Sequence, residues 1–262
     1  MEEVYTMGVD IGSAASKCVI LRSGGEMTAS AICHGGTGTS GPEKAVQKAL
    51  ESANMSMENM HCIAATGYGR NTFHPADRTY SEMSCHAKGA RFLLPGTRTV
   101  IDIGGQDCKA MLMMEDGRLD GFSMNDKCAA GTGRFLEVMA RVLEIELSDM
   151  GILGENAEHM IEITSTCTVF AESEVISKLS KGVDKRELLS GIHRSVAVKA
   201  SGIAKRIGVV EPVFFSGGVS QNIGVKNALS FELKTEVKTD PCAQLAGAIG
   251  AALLVQESTL KA

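Results

Sequence analysis

The chain has 262 residues, which is enough for one large domain or two lobes. Hydrophobic residues make up 44% of it, so a full core is possible, and its formal net charge of −5 argues against nucleic acid or an anionic membrane surface as the main partner. We recognise neither a signal peptide nor an apolar run long enough to span a bilayer, and we therefore expect a cytoplasmic protein. Glycine is abundant, at 29 residues, and tryptophan is absent, which favours close backbone approach to a phosphate over stacking on bases.

The first part of the chain predicts a three-strand meander followed by alternating helix and strand. Apolar strands are predicted over residues 5–11, 18–21 and 26–33, with a turn at 10–17 and a hairpin at 22–25. Pro42 is expected to open a helix, residues 61–66 to form a buried strand, and residues 82–93 to form a further helix. This order is a β-β-β-α-β-α half-domain.

The same pattern then begins again. Residues 100–107 repeat the strand–Asp–x–Gly arrangement of residues 8–13, and a second meander follows with a turn at 115–117. Helices are predicted over residues 184–206, strands over 213–215 and 236–238, and a last helix over 244–255. An internal duplication of this kind predicts an α/β fold of two β-β-β-α-β-α lobes around a nucleotide cleft. The expected lobes are residues 1–97 plus 245–262, and residues 98–244.

Each Asp-x-Gly turn follows a strand and presents backbone N–H groups from small residues, which suits a phosphate chain. Asp10 and Asp102 are candidates to hold Mg²⁺ at the phosphates through water, and Gln106 or Asp107 could orient the attacking water. Either turn alone could be a plain β-turn, but the pair together with a third glycine turn at 216–218 favours an ATP site. The candidate nucleotide-contacting residues are Gly12, Ser13, Ala14, Ala15, Ser16, Lys17, Gly104, Gly105, Gln106, Gly217, Gly218, Gln221 and Gln244.

Two cysteines precede predicted helices. Cys128 lies in a small-residue loop whose following helix should begin near Gly131 or Thr132, and Cys167 precedes a helix that Thr166 or Thr168 could cap. A helix N-terminus favours a thiolate, so the pair is either half of a four-cysteine site or two buried core cysteines. The remaining cysteines lie in apolar patterns and are predicted to be packing residues; they are Cys18, Cys33, Cys62, Cys85, Cys108 and Cys242.

These motifs resemble a known family. The two aspartate turns, the segment 214–218 and the closing residues 244–250 are similar to the actin, sugar-kinase and heat-shock ATPase superfamily, whose fold is the actin-like (ribonuclease H-like) ATPase fold. The stretches 124–135 and 165–174 resemble one branch of it, as do 65–70, 82–87 and 191–196. That branch contains the ATP-dependent activators of 2-hydroxyacyl-CoA dehydratases and the ATP-binding subunits of benzoyl-CoA reductase.

The resemblance implies a homodimer with one 4Fe–4S cluster bridging the subunits, and the matching ligand positions are Cys128 and Cys167. It also implies ATP or ADP with Mg²⁺, and transfer of one low-potential electron from ferredoxin or flavodoxin to a dehydratase component. One departure is Ala14, which stands where a hydroxyl residue is expected in the first phosphate turn. Any hydroxyl contact there would have to come from Ser13 or Ser16.

Three alternatives stay open on the sequence alone. The partner could be a benzoyl-CoA reductase or an orphan protein with a double-cubane cluster. The chain could instead be a sugar or carboxylate kinase of the same fold, with cysteines that only pack the substrate lobe. It could also be an ATP-gated chaperone in which the cysteines are incidental.

Overall fold

The computed structural model describes residues 3–164 and 167–260. Their internal contacts divide them into two compact units. The first unit holds the described residues up to Thr97, the segment Met114–Leu119 and the described residues from Cys242 onward. The second unit holds Arg98–Met113 and the described part of Asp120–Pro241.

The elements follow the predicted order closely. In chain order the first are β1 (Tyr5–Ile11), β2 (Ala15–Arg22), β3 (Glu26–His34), α1 (Gly41–Ala53), β4 (Met60–Thr66), β5 (Arg78–Thr79) and α2 (Glu82–Leu93). Then come β6 (Thr99–Ile103), β7 (Cys108–Met113), β8 (Leu119–Asn125), α3 (Gly133–Leu143), α4 (Met150–Glu155), α5 (Thr168–Ser180), α6 (Lys185–Ile207), β9 (Val213–Ser216), α7 (Ile223–Leu233), β10 (Val237–Lys238) and α8 (Ala246–Leu260).

The two sheets have the same topology, which confirms the predicted duplication. The first has the order β3-β2-β1-β4-β5 and the second, read in the same direction, β8-β7-β6-β9-β10. In each, the first strand pairs antiparallel with the second and parallel with the fourth. Three of these elements were not predicted. The two-residue strand β5 and the short helix α4 are both too short to show a periodic pattern, and the 11-residue helix α7 was missed as well.

In the first unit the central strand β1 lies between two helical layers, and its side chains point alternately toward one and the other. Met7, Val9 and Ile11 pack with the apolar face of α1, while the opposite face of the sheet packs against α8. Gly8 makes that second contact possible, because a Cβ there would overlap the backbone of α8 at Ala248 and Ala252. The small residues of α8 therefore approach the strand that carries Asp10.

In the second unit the long helix α6 organises the core. Its Asp184 carboxylate caps the N-terminus by accepting from the Arg186 N–H at 2.8 Å. Leu188, Leu189, Ile192 and further side chains of the same stripe are buried in one cluster with β6, β7, α3 and α5. Buried side chains of the helices that follow Cys128 and Cys167 belong to the same cluster.

Two glycines of α6 give a prediction about stability. A Cβ at Gly191 would overlap the carbonyl oxygen of Ile161, whereas a Cβ at Gly202 meets nothing within 4 Å. We expect Gly191→Ala to lower the free energy of unfolding by about 2 kcal/mol or more through overpacking. Gly202→Ala should raise it by about 1 kcal/mol, because alanine is the better helix former. Urea unfolding of the two variants checks this, and equal effects of both substitutions would contradict it.

The start of α3 confirms the predicted helix start, and the start of α5 corrects the predicted cap. The helix expected near Gly131 or Thr132 is α3, with Thr132 as its N-cap residue. At α5 the N-cap residue is Cys167 itself, and Thr168 is the first helical residue and not the cap. Thr166 lies outside the described residues. Within the described part of the chain, no helix combines the length and hydropathy needed to cross a membrane.

Candidate functional site

The first Asp-x-Gly turn joins β1 to β2, and the hairpin register places an aspartate beside a lysine. Asp10 is the direct antiparallel partner of Lys17, and the Lys17 Nζ lies 3.1 Å from Asp10 Oδ2. Asp10 is buried, at 2% exposure, while the Lys17 side chain is 17% exposed. The turn therefore holds a buried carboxylate whose charge is balanced by a lysine at the edge of the site.

The other carboxylate oxygen of Asp10, Oδ1, lies in a site that fits a cation. Asp10 Oδ1 is buried and has no hydrogen-bond partner among the described residues. Glycines leave room around this carboxylate: a Cβ at Gly67 would lie 2.6 Å from Oδ1, and one at Gly247 would lie 2.9 Å from Oδ2. A buried carboxylate oxygen without a partner is costly, so a cation or its bound water is the chemistry that fits it.

The two serines of the first turn differ in whether their hydroxyl groups are accessible to a phosphate. Ser16 is buried and its hydroxyl donates to the Gly35 carbonyl at 2.8 Å, whereas Ser13 is exposed. Of the two hydroxyls considered in place of Ala14, Ser13 is therefore the accessible one. The backbone turn is closed by the Gly12 N–H donating to the Ala15 carbonyl at 3.1 Å.

The second turn repeats this arrangement with more contacts. Asp102 Oδ1 accepts from the Ser216 hydroxyl at 2.8 Å, and Lys109 Nζ lies 3.6 Å from Asp102 Oδ2. Lys109 is only 1% exposed and is the direct strand partner of Asp102. Sequence reasoning missed this lysine. The available signal was its spacing, because Lys109 follows Asp102 by seven residues, as Lys17 follows Asp10.

The two residues considered for orienting water differ in their contacts and exposure. Asp107 Oδ2 lies 2.6 Å from the buried Lys109 Nζ, and the Asp107 side chain folds over Gly104. Gln106 is exposed at the tip of the same turn. Asp107 therefore shares in neutralising Lys109, and Gln106 has the side chain that can reach a bound water.

The remaining predicted nucleotide contacts lie on two short turns. In the second unit, Gly217 has φ +85° and a Cβ there would lie 3.0 Å from Asp102 Oδ1, so this position requires glycine. Gly218 and Gln221, which follow it, are both exposed. In the first unit, Gln244 lies in the 3₁₀ turn Ala243–Leu245 that leads into α8.

The second Asp-x-Gly turn is hydrogen-bonded to the start of α3. The Gly133 N–H donates to the Gly104 carbonyl at 2.9 Å, and the Arg134 N–H donates to the Gly105 carbonyl at 2.8 Å. These two N–H groups are among those a helix leaves unsatisfied at its N-terminus. Both N–H groups are therefore bonded to the turn. The expectation that the N-terminal N–H groups of this helix favour a thiolate at Cys128 does not hold for these two. A displacement of the turn would act directly on the helix that follows Cys128.

Cys128 and Cys167 differ from the other cysteines in exposure. Both are exposed free thiols of the second unit, whereas Cys18, Cys85 and Cys108 are buried. Burial raises the pKa of each of those three thiols to about 12, which keeps them protonated and unsuited to bind a metal. The interpretation of Cys128 and Cys167 as buried core residues is therefore wrong.

The other packing cysteines are Cys33, which is buried, and Cys62 and Cys242, which are half-buried. Within the described residues, no three His, Cys, Asp or Glu side chains come close enough together to hold a metal ion.

The repeated sheet order and the paired aspartate turns define the class of protein as an ATPase of actin-like fold. A glucokinase of the ROK family from Streptomyces griseus shares this fold, with a TM-score of 0.61 at 13% identity, over 97% of this chain and 99% of that one. The model of the BadF/BadG/BcrA/BcrD ATPase family matches residues 7–255, and the chain belongs to that family.

Two relatives are similar over nearly their whole length. The (R)-2-hydroxyglutaryl-CoA dehydratase activating ATPase of Acidaminococcus fermentans is 53% identical over 98% of this chain and 99% of its own. The crystal structure of component A of that dehydratase matches with a TM-score of 0.95, over 98% of this chain and 99% of that one. The activator of the 2-hydroxyisocaproyl-CoA dehydratase from Clostridium difficile, solved with bound ADPNP, matches with a TM-score of 0.95 at 47% identity, covering 99% and 98% of the two chains.

Proposed function

We propose that this chain is an ATP-dependent one-electron activator of a 2-hydroxyacyl-CoA dehydratase. The observation that carries the proposal is the pair of exposed thiols, Cys128 and Cys167, in a unit whose phosphate turn is bonded to the helix after Cys128. The names of the two activators that match the chain over nearly its whole length support the same function.

The nucleotide part of the proposal uses both Asp-x-Gly turns. Asp10 of the first unit would hold a hydrated Mg²⁺ that accompanies the phosphates of ATP, with Lys17 balancing its charge, and Asp102 with Lys109 repeats this pair in the second unit. Gln106 orients the attacking water. Support comes from the unpartnered Asp10 Oδ1 and from the relative that was solved with a bound ATP analogue.

The redox part needs a second copy of the chain. One chain offers two exposed cysteine ligands and a 4Fe–4S cluster takes four, so two subunits share one cluster across a two-fold axis. Val169 and Phe170 at the start of α5 are 65% and 69% exposed beside Cys167, and a second subunit would cover them. When bound, such a cluster would take one electron from ferredoxin or flavodoxin and give it to the dehydratase component.

Coupling runs through the bonds between the second phosphate turn and α3. Hydrolysis removes the γ-phosphate contact and lets the turn at Gly104 and Gly105 move. The Gly133 and Arg134 N–H groups follow the carbonyls that they contact, and α3 carries the Cys128 loop with it. A shift of the charges and dipoles that face the cysteine ligands changes how strongly an added electron is held.

Anaerobic reconstitution tests the proposal. We expect about four iron atoms and four sulfides per two chains, a dimer by light scattering and an EPR signal on reduction. Activation of a 2-hydroxyacyl-CoA dehydratase should require both a reductant and hydrolysable ATP, and ADPNP should not replace ATP. A protein that activates the dehydratase without iron would contradict the proposal, and ATP-dependent phosphorylation of a sugar would favour the kinase alternative.

A further inference from the structure

Lys199 of α6 lies against the loop that carries Cys128. Its neighbours Val196, Ala197 and Ala200 are buried in the core of the second unit, while Lys199 itself is half-buried. The 23-residue helix is anchored along its length, so the lysine stem projects from a fixed backbone.

The stem of Lys199 packs against the Cys128 loop. A Cβ at Gly131 would lie 3.0 Å from Lys199 Cδ and 3.1 Å from Lys199 Cβ, and Gly131 has φ +84°. A glycine is required at this position both by the backbone conformation and by the closeness of the lysine. The loop is closed above it by the Thr132 N–H and hydroxyl, which both donate to the Ala129 carbonyl.

The half-buried ammonium group of Lys199 is sensitive to charge at both cysteines. Burial lowers the pKa of Lys199, and negative charge at Cys128 and Cys167 acts in the opposite direction.

We propose that Lys199 sets the reduction potential of the metal cluster that Cys128 and Cys167 bind. The inference rests on the proposed function and deepens it. The four thiolates and the cluster carry net negative charge, and one added electron increases it. The positive charge of Lys199, whose stem packs against the Cys128 loop, stabilises the reduced form. This supplies positive charge at the Cys128 loop, where the first N–H groups of α3 are committed to the phosphate turn.

Lys199→Met removes the charge and keeps an apolar stem for Gly131, while Lys199→Arg keeps the charge. Lys205→Met removes one charge from the same helix, at an exposed lysine that donates to the Glu232 carbonyl. Each variant is reconstituted anaerobically, and its cluster is titrated against solution potential by EPR.

At the midpoint potential of the unmodified protein, we expect the ratio of reduced to oxidised cluster in Lys199→Met to fall about tenfold. This corresponds to a midpoint about 59 mV lower for a one-electron couple. The Lys199→Arg and Lys205→Met proteins should stay within about twofold of the unmodified ratio.

The outcomes separate this inference from the function on which it rests. A Lys199→Met protein with full iron content and an unchanged potential overturns the role of Lys199 and leaves the proposed function standing. An unmodified protein that takes up no cluster overturns the proposed function itself. If Lys199→Met loses its iron, Lys199→Gln is titrated in its place. Loss of iron in both variants would show that Lys199 retains the cluster and does not tune it, which also overturns the inference.

Discussion

Cys128→Ser protein is expected to hold less than about a tenth of the iron of the unmodified protein after anaerobic reconstitution. Serine is a poor ligand for iron in such clusters, and the substitution removes two of the four ligands because it is present in both subunits of the dimer. Cys128 is exposed, so the substitution should leave the fold intact. Iron and sulfide analysis together with the visible absorbance measures the loss, and the EPR signal of the reduced protein should disappear with it.

Cys167→Ser should behave in the same way, since Cys167 is the second exposed cysteine of the unit. Cys242→Ser is the matched control, because Cys242 is a half-buried cysteine of the first unit. It should retain a full complement of iron. Full cluster content in Cys128→Ser, or equal losses in all three variants, would remove the assignment of Cys128 and Cys167 as ligands.

Asp10→Asn is expected to lower the turnover number for ATP hydrolysis by about 100-fold or more. Asparagine has nearly the same shape but no charge, so it cannot hold a hydrated Mg²⁺, and electrostatic groups of this kind typically contribute factors of that size. The Lys17 ammonium would also lose the carboxylate that lies 3.1 Å away. Release of phosphate at saturating ATP and Mg²⁺ measures the effect, and fluorescent-nucleotide binding shows whether ATP still binds.

The control for this substitution is Asp116→Asn. Asp116 belongs to the same unit and forms an ion pair with Arg118 at 2.7 Å, but its side chain is 52% exposed in the hairpin turn between β7 and β8. Its hydrolysis rate should stay within about twofold of the unmodified protein, since exposed pairs contribute little. If Asp10→Asn keeps more than a tenth of the activity, Asp10 has no direct part in binding the metal.

The fold was predictable because its determinants are local and repeated. The strands around Asp10 and Asp102 are short apolar runs bounded by glycine turns, and the same order occurs twice in the chain. Helix α3 was also found from its periodic apolar residues. The cap of α5 was not, because Cys167 takes the N-cap conformation without making a side-chain cap bond. Residue preferences identify caps that form such bonds and cannot identify one that lacks them.

The site was predictable to the extent that each residue acts from its own turn. Asp10 and Lys17 lie on one hairpin and were named from sequence, and Lys109 could have been named by the same spacing. The contacts of Gly133 and Arg134 with the second Asp-x-Gly turn join residues nearly 30 positions apart. Lys199 lies some 70 residues from Cys128, on a helix whose pattern shows only packing. Only the tertiary structure brings such residues together.

The pairing of aspartate and lysine across each hairpin has a consequence for how these turns can vary. Asp10 and Lys17 face each other because six residues separate them, and the same holds for Asp102 and Lys109. Inserting or deleting one residue would move the lysine to the opposite face of the sheet, since side chains alternate along a strand. The turns can therefore tolerate replacements such as Ala14, but not a change of length. A variant with one residue inserted into either turn should lose the pairing of aspartate and lysine, even where the inserted residue is glycine.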